Sequence, residues 1–174
     1  KNNCVKTSAL TILDKMLNLS KVMWEDINLE CQKEFYEKIL FFDISNQEKV
    51  SSIETINLQL FIEYDENDSY ANIQKFMMDL NPENNIIVLE FISLIAAKKI
   101  IELNNIISEK NIKDLKSFSK FMSKNFANFF ETKKYSRGFD VEANKITQDR
   151  SEEIDNKDIQ KVIKVVGIRA DRAV

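Results

Sequence analysis

A chain of 174 residues with only two glycines and one proline has few places to break. Glycine turns a backbone sharply by reaching positive φ, and proline by fixing φ and removing a donor. Their scarcity argues against a turn-rich all-β architecture and against an enzyme built on glycine-rich phosphate loops. Long helices with few interruptions fit it best. Hydrophobic residues make up 44% of the chain, enough to bury a core in one domain of ordinary size or in two small lobes.

Composition narrows the function further. The chain has no histidine, so the commonest general base and the commonest zinc ligand are missing. Cys4 and Cys31 are too few for a disulfide framework or a four-cysteine metal site, and they read as reduced thiols of a cytoplasmic protein. The net charge is -3 with both signs mixed along the chain, which gives no basis for nucleic-acid affinity. The longest apolar stretch, 86–97, is interrupted by Glu90 and is too short to span a bilayer. No catalytic dyad, P-loop or glycine-rich dinucleotide turn is visible, so the expectation is a protein that is not an enzyme.

Apolar spacing of three and four residues predicts a helix near 5–18, through Val5, Ala9, Ile12, Leu13, Met16 and Leu17. Asp26 is placed to cap a second helix running to Phe42. Ile53, Ile56, Leu60 and Phe61 predict a third, to about residue 63. Ile73, Phe76, Met77 and Leu80 predict a fourth. Residues 89–104 read as an almost wholly apolar helix at the centre of the molecule, and 111–130 as another helix rich in phenylalanine. The polar stretch 131–153 reads as a long loop. A last helix is expected from Asn156 to Val166, with Gly167 as its C′ cap.

Three polar segments share one pattern, with an aliphatic residue at the eighth place and an acid at the twelfth. The first runs from Asp43 to Glu54, with Ser45 and Gln47 at places three and five and Val50 at place eight. The second runs from Asp79 to Glu90, with Asn81, Glu83 and Asn85 at places three, five and seven and Ile86 at place eight. The third runs from Thr147 to Asp158, with Asp149 and Ser151 at places three and five and Ile154 at place eight. Asp43 and Asp79 stand 36 residues apart, the repeat length of paired helix–loop–helix units. This pattern resembles the EF-hand, whose loop offers oxygens at places 1, 3, 5, 7, 9 and 12.

The resemblance implies an all-α fold of EF-hand-like helix–loop–helix pairs, with small β-bridges between loops, such as Val50 opposite Ile86. It implies two lobes. Residues 1–104 would hold the leading helix and a paired lobe. Residues 105–174 would hold a more degenerate lobe with a polar insertion near 131–153. The metal oxygens would come from Asp43, Ser45, Gln47, Glu54, Asp79, Asn81, Glu83, Asn85, Glu90, Asp149, Ser151 and Asp158. Place six lacks glycine in all three loops, so the expected cofactor is none or weakly bound calcium. By resemblance, the protein is a calmodulin-like or light-chain-like adaptor gripping an amphipathic helix of a larger partner. Its groove would be lined by Phe76, Met77, Phe91, Leu94, Ile95 and Phe118. Two alternatives stand beside it: a calmodulin-like regulatory domain of a larger calcium-dependent protein such as a kinase, and a surface-exposed helical bundle that binds a host protein.

Overall fold

The computed structural model describes residues 3–17, 21–41, 51–79, 81 and 83–163. The fold is mixed α/β and not the all-α EF-hand arrangement. Six helices, α1 (Asn3–Leu17), α2 (Leu29–Leu40), α3 (Tyr70–Ile73), α4 (Ala97–Glu109), α5 (Leu115–Phe129) and α6 (Asn156–Val162), accompany four strands among the described residues. These are β1 (Ile53–Glu63), β2 (Ile86–Ile95), β3 (Phe130–Asp140) and β4 (Lys145–Glu153). They form an antiparallel sheet in the order β1-β2-β3-β4. The chain divides into two units. Unit 1 is 1–21, 59–90 and 134–174; unit 2 is 22–58 and 91–133.

Unit 2 is held by an aromatic core. Helix α2 starts because the Asn28 side chain accepts from Glu30 N at 2.8 Å, satisfying an orphan donor of the first turn. Its inner face presents Gln32, Phe35, Tyr36 and Ile39. Gln32 is buried yet satisfied: its Nε2 donates to the carbonyls of Trp24 and Ile27 at 3.1 and 2.9 Å. Helix α5 is capped by Asp114, which accepts from Ser117 N at 2.8 Å, and buries Phe118, Met122, Phe126 and Phe129. Trp24 packs edge-on against Phe118 at 5.6 Å, and Phe126 stacks on Phe130 at 4.2 Å. Each ring fully withdrawn from water contributes about 1.5–3 kcal/mol. Asn104 of α4 donates to the Ile39 carbonyl at 2.7 Å, fixing α4 to the end of α2.

Unit 1 holds α1, α3 and α6, all of β4, and the parts of β1, β2 and β3 within 59–90 and from 134 on. Ser136 of β3 is fully buried and donates to the Phe76 carbonyl at 2.8 Å. That bond fixes the 3-10 turn Gln74–Phe76, which follows α3 directly. Asp155 caps α6 by accepting from Asp158 N at 3.0 Å. Asp158 takes charge-assisted bonds from Lys75 and from Lys161, the latter at 2.9 Å. Those bonds hold its carboxyl down at about 2. Lys134 donates to the Met16 carbonyl at 3.1 Å and to the Asn156 side chain. Burial lowers its pKa, because the interior disfavours the ammonium.

Several expected elements are corrected here. The third expected helix is strand β1, and 131–153 is not a loop but most of the β3–β4 hairpin. Residues 89–104 divide into the end of β2 and the start of α4. The fourth helix shrinks to Tyr70–Ile73 and the 3-10 turn. A calcium loop from Asp79 to Glu90 has no room, because Ile86–Glu90 is already paired strand. The third loop fails likewise: Thr147, Asp149 and Ser151 lie in β4, and Asp158 lies in α6. With the EF-hand fold go the calmodulin-like domain and the all-helical bundle. The expected Val50–Ile86 bridge and the Gly167 cap lie outside the described residues.

Candidate functional site

One row of side chains crosses unit 1 from β1 to β4. Gln59 Nε2 donates to Glu90 Oε1 at 2.8 Å, Arg137 Nε to Glu90 Oε2 at 2.6 Å, and Arg137 Nη1 to Ser151 Oγ at 2.6 Å. Alternate residues of a strand share a face, so neighbouring strands bring these four residues into line. Tyr135 lies two residues before Arg137 on the same face, and the guanidinium sits 4.5 Å from its ring centre. The Glu90 side chain is 7% exposed and that of Arg137 20%. A carboxylate clamped through both oxygens by an arginine and an amide is poorly placed to shuttle protons. The row pins the sheet.

A cleft opens beside that row, at the β3–β4 hairpin. The register pairs Arg137 with Ser151 but Gly138 with Thr147. Three residues of β4, 148–150, are therefore extra and form a bulge. Gly138 makes the bulge possible. A Cβ there would stand 2.3 Å from Thr147 Oγ1 and 2.9 Å from Arg150 Cβ. The hairpin turn closes with Asn144 at φ 49, a left-handed value that asparagine tolerates, and Ala143 N donates to Asp140 Oδ1 at 2.8 Å.

The cleft has a volume of about 440 Å³ and is lined by Asp79, Asn81, Phe139, Asp140, Val141, Glu142, Thr147, Asp149 and Arg150. That is within the range of small-ligand sites. Four carboxylates and one guanidinium line the cleft, and Arg150 lies 3.6 Å from Asp79. Asp79 is itself fixed by Asn84 Nδ2 at 2.9 Å and Asn81 N at 3.1 Å. Asn84 in turn donates to the Phe139 carbonyl at 3.2 Å. Phe139 and Val141 supply the apolar wall, and exposed Phe61 of β1 packs edge-on against Phe139 at 5.6 Å. Thr147 Oγ1 is buried in the wall with no hydrogen-bond partner among the described residues.

The expected metal ligands are scattered. Asp79, Asn81 and Asp149, assigned to two different loops, meet in the cleft. Glu90 and Ser151 belong to the polar row, and Asp158 to the lysine pair on α6. Asn85 donates to Glu63 at 3.1 Å, while Glu83 and Glu54 are exposed. Asp43, Ser45 and Gln47 lie outside the described residues. Among the described residues no three His, Cys, Asp or Glu side chains are grouped to hold a metal ion.

Of the expected groove residues, Phe76, Phe91, Ile95 and Phe118 are at most 1% exposed and Leu94 is 8% exposed. Met77 is half-buried. A helix docking on the five buried side chains has to open the core. Sequence reasoning gave no site role to Phe139, Val141 and Arg150, placed Phe61 on a helix face and read Arg137 as part of a solvated loop. The available signal was the alternation Tyr135, Arg137, Phe139, Val141, which runs straight through the segment read as a loop.

No protein-family model, no curated protein and no solved structure matches this chain. Among the described residues no helix is long and apolar enough to cross a membrane.

Proposed function

We propose that this chain is a non-catalytic adaptor that engages a partner through the cleft at the β3–β4 hairpin of unit 1. The observation that carries the reading is the cleft itself. Carboxylates outnumber the one cation, and an apolar wall of Phe139 and Val141 lies beside partly open Phe61. The ionisable groups buried elsewhere in unit 1 are committed to fixed partners: Glu90 to Arg137, Asp158 to Lys75 and Lys161, Lys134 to Met16 and Asn156. Such pairs favour a scaffold role over acid–base chemistry. Exposed Cys31, a free thiol, suits a reducing cytoplasm.

The test is site-specific photocrosslinking of the full chain in native extract. The crosslinker stands at Val141, 41% exposed beside the cleft, or at Leu29, 76% exposed on α2 as a control. The expected result is one stoichiometric adduct from position 141 that Asp149→Lys abolishes. Equal adducts from both positions, or none from 141, would remove the cleft as the docking site.

A further inference from the structure

We infer that the cleft takes a basic side chain of a partner protein, a guanidinium or ammonium, with an apolar neighbour lying against Phe61 and Val141. This rests on the proposed docking role of the cleft. The charge balance selects the sign of the ligand: Asp140, Glu142 and Asp149 line the cleft, and the one lining cation is drawn to Asp79. Phosphates are repelled by such a lining, so a nucleic acid is the wrong class. The chain's own Arg150 shows the geometry in miniature. Its guanidinium lies 3.6 Å from Asp79 while the side chain stays 52% exposed, so this wall already accommodates a cation.

The apolar half of the site argues for a side chain on a peptide over a bare metal ion. Hard cations want six or more oxygens converging on one point, whereas here Phe139 and Val141 form part of the same wall. Phe61 remains 54% exposed and Val141 41% exposed, although both lie against or beside buried Phe139. An alkyl stem ending in a charge meets both demands, because lysine and arginine bury their methylenes while their heads seek carboxylates.

The experiment is a ¹H–¹⁵N NMR titration of the full chain with three short peptides identical except at one position, Arg, Gln or Glu, next to a leucine. The expected result is that only the arginine peptide shifts the amides of Asp140, Glu142, Thr147 and Asp149, and that added salt weakens it. Replacing Glu142→Gln and Asp149→Asn together, both on exposed positions, should weaken binding about three- to tenfold at low salt. Binding of the glutamine or glutamate peptide at these same amides with equal strength would overturn the basic-ligand assignment and leave the cleft as a docking site. No shift with any peptide would overturn both.

Discussion

Replacing Arg137 with methionine should destabilise unit 1 by about 2–3 kcal/mol. Breaking a buried ion pair from one side costs roughly 3–5 kcal/mol, because a charge is left in the interior. Here the Glu90 side chain is 7% exposed but Arg137 is 20% exposed, so solvent screens part of the pair and the lower figure follows. Glu90→Gln is milder, about 1–2 kcal/mol, since its amide still accepts from Gln59 and the stranded guanidinium keeps Tyr135 and Ser151. Combining Glu90→Gln with Arg137→Met should cost only about 1–2 kcal/mol, well short of the sum of the two singles, since both charges are gone and Gln59 still bonds the position 90 side chain. The signature is a double-mutant cycle with about 2 kcal/mol of coupling. Urea unfolding followed through the NMR peaks of β2 and β3 measures it residue by residue. Single losses below about 0.5 kcal/mol that simply add would refute the claim that this row pins the sheet.

Gly138→Ala should cost about 1–3 kcal/mol, because the new methyl meets Thr147 and Arg150 at less than contact distance; an unchanged urea midpoint would show that the bulge yields freely. Asp158 has a folded pKa depressed to about 2, below its unfolded value of about 3.9. Its contribution is therefore fully present above about pH 4 and lost as pH falls towards 2. The melting-temperature difference between wild type and Asp158→Asn should shrink across that window, and a constant difference would contradict the pairing with Lys75 and Lys161. Tyr36 buries a hydroxyl with no hydrogen-bond partner among the described residues, and its pKa is raised by burial and by Asp114. Tyr36→Phe should be neutral or stabilising by up to about 1 kcal/mol, whereas a loss above 1 kcal/mol would reveal a bond at that hydroxyl.

Helices α2 and α5 of unit 2 were legible in the sequence because they obey one rule each. Helix α2 shows an apolar stripe of period 3.6 behind a capping residue, although the cap is Asn28 and not Asp26. Helix α5 does the same behind Asp114. Strand β2 was hidden by its own burial. Residues 87–95 are buried on both faces, so the strand reads as a continuous apolar run that spacing alone cannot separate from a buried helix. Strand β1 does alternate, with Ile56, Leu58, Leu60 and Ile62 on one side. Ile53, Ile56 and Leu60 also fit helical spacing, so the same residues satisfy both periods. The β3–β4 hairpin was lost for a different reason. Its apolar alternation, Tyr135, Phe139 and Val141, is broken by charged Arg137 and set among polar residues, so the stretch reads as a loop. Of the cleft, the resemblance singled out Asp79, Asn81 and Asp149, but as ligands of two separate loops, and nothing in it anticipated the three-residue bulge that carries Asp149.

The dissociation constant of the partner captured at position 141, measured at one ionic strength for wild type and for the chain carrying Glu142→Lys and Asp149→Lys, tests the central claim most directly. Both substitutions lie on exposed positions lining the cleft, so the fold should survive them. The docking account predicts a rise of about tenfold or more, since two attractive contacts become repulsive ones. An unchanged constant, with the charge-reversed chain still folded, would contradict it.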